Sequence, residues 1–141
     1  MTIREILRDK GDHVVTISRN RTVLDAMRLL MHHRIGALVV TEGTDVIGII
    51  TERDVLRLGA EDPGALVDTH VNDAMTTELV VGVPDDGLDY VMQIMTRNRI
   101  RHLPIMDGIA LIGIVSIGDV VNACRSSVEA ENRYLRAYIE G

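Results

Sequence analysis

The chain contains no phenylalanine and no tryptophan, and only three tyrosines, one cysteine and one lysine. Without large rings its interior has to be filled by Val, Ile, Leu, Met and Ala, a mixture that suits strands covered by helices. The lone Cys124 has no partner within the chain, and a disulfide joining two copies through it would be unusual in a reducing compartment. No stretch reads as a signal peptide or as the ~20 apolar residues of a membrane span. A cytoplasmic protein that does not enter membranes is therefore expected. Positive charge is also scarce, since 21 acidic residues against 15 basic ones leave a formal net charge of -6. Nucleic acids and anionic membranes need a basic face, so neither is an expected partner. Every basic residue except Lys10 is an arginine, whose planar fork matches carboxylate and phosphate oxygens.

A mass of 15.6 kDa allows one well-buried core and not two, since domains usually hold ~100–150 residues. What fills it is a repeat. Moved by 65 residues, Arg34 to Val55 falls on Arg99 to Val120 with nine of 22 positions identical, among them Arg34/Arg99, Gly48/Gly113 and Asp54/Asp119. Two copies of one unit in so short a chain are expected to share a core as a single pseudo-symmetric domain. The expected boundaries are a module over 1–125, made of repeat one (1–58), a linker (59–70, carrying Pro63 and Gly64) and repeat two (71–125), followed by a C-terminal helix over 126–141.

Each copy reads as a short helix, a strand, a long helix, a two-strand hairpin and a closing helix. In the first, Ile3, Ile6 and Leu7 form a helical face ending near Gly11, and Val14 to Ile17 is an apolar strand. Thr22 and Asp25 have the spacing of a capping box ahead of Met27, Leu30 and Met31. Ala37 to Val40 and Val46 to Ile50 flank the turn Glu42-Gly43-Thr44-Asp45. In the second copy the same parts fall on Val71 to Met75, Val80 to Val83, Leu88 to Met95, and the hairpin of Leu103 to Ile105 with Leu111 to Val115. Ile17 is paired here with Val83, which makes the strand-to-helix spacing one residue shorter in the second copy. Val128, Leu135 and Ile139 then line one face of a helix, which packs either on its own domain or on a second copy.

Both hairpins end in Gly-x-x-(Thr/Ser)-x-x-Asp, at Gly48, Thr51 and Asp54 and again at Gly113, Ser116 and Asp119. A hydroxyl followed three residues later by an acid, where a strand turns into a helix, is explained structurally by an N-cap. It is explained functionally by a glycine that admits a flat ligand, free amides that take an anion, and an aspartate that takes the two hydroxyls of a ribose. Repetition at one offset favours the second explanation, because stability needs a cap but not the same acid twice.

The doubled VIGIITERDV and LIGIVSIGDV segments, the RHLPI of the second copy and the VNDAMT helix resemble the cystathionine-β-synthase (CBS) domain pair, or Bateman module, over roughly Ile3 to Cys124. The resemblance implies an α/β fold, a disk-like tandem repeat with two small β-sheets flanked by helices. It implies two clefts between the copies that bind adenosine-containing ligands such as AMP, ADP, ATP, S-adenosylmethionine or NAD(H), and pairing of two disks into a homodimer. Asp54 and Asp119 then look like the ribose acids, with Thr51 and Ser116 beside them. Each cleft is completed by the other copy, so the Asp54 cleft draws on Val81, Gly82, Arg101, His102 and Leu103. The Asp119 cleft draws on Thr16, Ile17, Ile35, Gly36 and Ala37. With Arg53, the Asp54 cleft gathers the cations suited to phosphate, whereas the other faces Gly36-Ala37 and Gly118.

Other chemistry finds less support. His32 and His33 point about 100° apart on a helix, and His13 and His70 are distant, so no metal site is expected. Ser116, His102 and Asp119 make a hydrolase only on paper, since Ser116 sits at a cap without a G-x-S-x-G elbow. No catalytic residue or catalytic cofactor is expected. The expected function is a regulatory sensor that transmits adenine-nucleotide occupancy through dimer or partner contacts to a separate target protein. The alternatives are an interaction scaffold with vestigial clefts, or a binder of S-adenosylmethionine.

Overall fold

The computed structural model describes residues 1–11 and 13–140. Its elements in chain order are α1 (Ile3–Lys10), β1 (Thr16–Ser18), α2 (Val23–His33), β2 (Ala37–Glu42), β3 (Asp45–Thr51), α3 (Glu52–Glu61), α4 (Ala65–Asp68) and α5 (Val71–Ala74). They continue with α6 (Leu88–Asn98), β4 (His102–Asp107), β5 (Ala110–Ser116) and α7 (Ile117–Glu140). This is a mixed α/β fold with two small sheets flanked by helices.

The chain divides into two compact units, one of His13–Val80 and one of Met1–Asp12 with Val81–Gly141. In the first, β1 runs parallel to β2 and β2 antiparallel to β3, with Ala37 opposite Thr51. Ile17, Leu38, Val40 and Ile50 from the sheet pack with Val23, Ala26 and Leu30 of α2, Val55 of α3 and Val71 of α5. Helix α5 is held by backbone bonds from Val71 N to Arg21 O and Asn72 N to Arg19 O, and Thr76 exchanges two bonds with Ile49. The segment expected to be a linker is built from structure. Helix α3 runs to Glu61 and α4 begins at Ala65, after a turn that carries Pro63 and Gly64, and Leu58 and Leu66 pack against the core of the unit.

In the second unit, β4 and β5 form a hairpin with His102 opposite Ser116. Helix α1 joins it through bonds from Ile3 N to Asp86 O and Arg4 N to Pro84 O. The leading helix of each sequence copy therefore belongs to the unit carrying the other copy's hairpin. Units and repeats interleave.

The strand expected at Val80 to Val83 does not form. Gly82 alone bridges to Ile105, donating to Pro104 O at 2.9 Å and accepting from Met106 N at 2.9 Å. A residue's N–H and C=O point to the same side of a strand, so the preceding rung would need an N–H from Pro104, which has none. In the first unit Val39 holds that place and β1 forms. The bridge also corrects the expected alignment of Ile17 with Val83. Ile17 pairs with Val40 and Gly82 with Ile105, and α2 and α6 start at Val23 and Leu88, so the 65-residue offset holds throughout. Finally, the closing helix and the C-terminal helix are one element, α7, with no break near Ser126.

Candidate functional site

Each hairpin brings the start of its first strand beside the end of its second. Glu52 N donates to Gly36 O at 3.0 Å, and Ile117 N donates to Arg101 O at 2.8 Å. Thr51 and Asp54 thus converge with Gly36 and Ala37 in one unit, while Ser116 and Asp119 converge with Arg101 and His102 in the other. The strand ladder sets His102 opposite Ser116, so the Arg101-His102 pair stands with Asp119 within its own unit, and Arg53 stands with Asp54.

Both motifs are capping boxes. Asp54 N donates to Thr51 Oγ1 at 3.4 Å, and Asp54 Oδ2 accepts from Thr51 N at 2.9 Å and Thr51 Oγ1 at 3.1 Å. Asp119 N donates to Ser116 Oγ at 3.1 Å, and Asp119 Oδ2 accepts from Ser116 N at 2.8 Å. The bonds satisfy amides that a helix start leaves without partners. A third box, Thr22 with Asp25, caps α2, yet its counterpart at the start of α6 is Gly87. Capping alone therefore does not demand the same pair in both copies, and the repetition at 51–54 and 116–119 stands out against that background.

The two acids differ in surroundings. The Asp54 side chain is only 10% exposed, with Arg57 Nη1 3.9 Å from its Oδ1. Asp119 is more open at 26%, and its Oδ2 also accepts from Lys10 Nζ at 2.7 Å. Lys10 donates as well to Ile114 O at 2.9 Å. Burial pushes the Asp119 carboxyl up, but the Lys10 ammonium and the Ser116 donors outweigh it and hold the carboxyl below its ordinary value. Sequence reasoning missed this contact. Its one signal was that Lys10 is the only lysine, standing just ahead of Gly11 at the end of an amphipathic helix.

The motif glycines make room for neighbouring groups of their own unit. A Cβ on Gly48 would lie 2.6 Å from Met75 Sδ and 2.9 Å from Thr76 O, and one on Gly113 would lie 2.5 Å from Leu7 Cδ2. What stands on the Cβ side of these strands is Met75 and Thr76, just after α5, in one unit and Leu7 of α1 in the other. Of the other candidates, Ile17 and Leu103 are buried core side chains, Ala37 and Gly82 are buried, Ile35 and Gly36 are half-buried, and Thr16 and Val81 are exposed. Gly82 is tightly enclosed too, since a Cβ there would meet Leu103 at 2.9 Å and Ile105 at 3.0 Å. A groove of about 510 Å³ beside α1, lined by Arg4, Leu7, Arg8, Gly11, Pro84 and Ile112, contains none of the candidates.

Among the described residues no three His, Cys, Asp or Glu side chains gather as metal ligands would, and no helix is long and apolar enough to cross a membrane. Ser116 is occupied as a helix cap, as its sequence position implied.

The sequence model of the CBS domain matches residues 3–61 and 71–126. A mitochondrial CBS domain-containing protein of Arabidopsis thaliana, CBSX3, is 39% identical over 149 aligned positions, which span 99% of this chain and 72% of that one. The crystal structure of a CBS-domain protein of Agrobacterium tumefaciens superposes with a TM-score of 0.84 at 39% identity, over 87% of this chain and 98% of that one. The CBS domain pair of the protein MJ0100, solved with 5′-methylthioadenosine and S-adenosylmethionine, superposes with a TM-score of 0.79 at 21% identity, over 90% of this chain and 98% of that one.

Proposed function

From the premise that this chain belongs to the CBS domain family, we propose that it is a regulatory module that binds an adenosine-containing ligand. The observation that carries this reading is the hydroxyl-and-acid box built twice at one offset, each with a neighbouring backbone carbonyl already tied to the helix start. A carboxylate fixed by its own helix presents its remaining lone pairs without reorganising, and charge-assisted bonds from the two hydroxyls of a ribose suit it. Asp54 and Asp119 are the ribose acids, with Thr51 and Ser116 beside them. Gly36, Ala37 and Ile35 in one unit, and Arg101, His102 and Val81 in the other, are the next neighbours of the ligand. The fold-sharing pair that holds 5′-methylthioadenosine and S-adenosylmethionine supports the ligand class. Within that class AMP, ADP, ATP and NAD(H) are favoured over S-adenosylmethionine, because Lys10 and Arg57 are cations paired with the two acids, and Arg53 and Arg101 belong to the same two motifs' surroundings in the chain. The module works without catalysis, in the cytoplasm, by favouring one conformation when occupied and passing it to a target protein.

Isothermal titration with AMP, ATP, NADH and S-adenosylmethionine tests this. Saturable heat with at least one adenine nucleotide, lost in a double Asp54→Asn, Asp119→Asn variant that still unfolds cooperatively, is the expected result. No heat with any ligand overturns the proposal.

A second property is favoured by α7. Its segment from Arg125 to Ile139 is exposed, including Val128, Leu135, Tyr138 and Ile139. From Val128 to Ile139 its charges run Glu129, Glu131, then Arg133, Arg136, so an antiparallel second copy can set the acidic part of that stretch against the basic part. The module is accordingly a homodimer joined along this helix.

A further inference from the structure

We propose that Lys10 sets the ligand charge accepted at Asp119, selecting adenosine ligands that carry a phosphate over uncharged or cationic ones. The inference rests on the ribose role of Asp119 given above. Helix α1 delivers the ammonium to the hairpin, where Asp119 Oδ2 at 2.7 Å and Ile114 O at 2.9 Å hold it between them. An ammonium has three N–H donors, so one stays available after both bonds are made. Displacing Lys10 would break two charge-assisted bonds. A ribose gripped by Asp119 therefore lies next to a fixed positive charge, which favours an anionic substituent and disfavours a sulfonium.

The repeat supplies an internal comparison. At the 65-residue offset, Lys10 corresponds to Met75, whose sulfur faces the Gly48 position, and Arg101 corresponds to Gly36. Lys10 thus has a thioether as its counterpart, and the cation paired with Asp54 is instead Arg57 of that acid's own helix, 3.9 Å from Oδ1. The substitution Lys10→Met gives the second unit the residue that the first one already carries. It is tolerable on the same grounds, because Lys10 lies at the exposed end of α1.

Titration of AMP, adenosine and 5′-methylthioadenosine against the full chain isolates the effect when Asp54→Asn silences the other acid. AMP is expected to bind at least about tenfold more tightly than adenosine. Lys10→Met should abolish that preference, bringing the affinities of AMP and adenosine together through weaker AMP binding, and Lys10→Arg should retain it. Unchanged AMP binding in Lys10→Met overturns the assignment of Lys10 while leaving the ribose reading intact. So does a parallel fall of AMP and adenosine, which marks a structural role, or a parallel rise, which marks a mere competitor for the carboxylate. Absence of binding by the unsubstituted chain overturns both proposals together.

Discussion

With a Cβ built on Gly113, Leu7 Cδ2 would stand 2.5 Å away, well inside any real contact, so alanine at that position must displace α1 or bend β5. Gly113→Ala is expected to cost about 1–3 kcal/mol, the usual penalty of overpacking, read as a lower midpoint in urea unfolding. Shortening the obstructing side chain should relieve it. In a Leu7→Ala background the added cost of Gly113→Ala should fall to a small fraction, a coupling measured by a double-mutant cycle. Equal costs in both backgrounds would show that the glycine serves something other than helix packing. The motif was legible in the sequence at this scale, but the purpose of its glycine was not. Leu7 and Gly113 are distant along the chain, and only the docked helix shows what the missing Cβ leaves room for.

Capping and hairpin signals were the most legible elements because they are local. Thr22 and Asp25 were expected to cap α2 and do so, with both bonds of the box at 3.2 Å. Arg21, followed by the Thr22 donors, holds the Asp25 carboxyl down at about 2. A folded value below the ordinary ~3.9 means the contribution is complete above that ordinary value and is lost as pH falls toward the folded one. Asp25→Asn should therefore flatten the decline of stability between about pH 4 and pH 2, followed by urea midpoints across that range. An acid limb as steep as that of the unsubstituted chain would refute the assignment. What was not legible lay where a tertiary partner overrides local preference. Val80 to Val83 has strand composition, but Pro104 lacks the N–H for its ladder. The leading helices carry no sign in their own residues of which hairpin they will cover.

At the scale of the whole chain, the longest element among the described residues is α7, and its distal part, from Arg125 to Ile139, is exposed. An isolated helix of that size is marginal in water, so burial against a second copy would stabilise it. A chain ending at Arg125 is expected to elute as a monomer by size exclusion with light scattering, and the full chain as a dimer. Dimers from both would place the interface elsewhere. Helix α1 bears on how the chain is made. The residues that receive Lys10 follow it by 104 and 109 positions, so Ile3, Ile6 and Leu7 emerge from the ribosome long before β5 exists to cover them. At ~5–20 residues per second that delay is roughly 5–20 s, during which the His13–Val80 segment can complete its own core. In biosynthesis a segment made early is among the last to be sheltered, and until then its apolar face is open to chaperones.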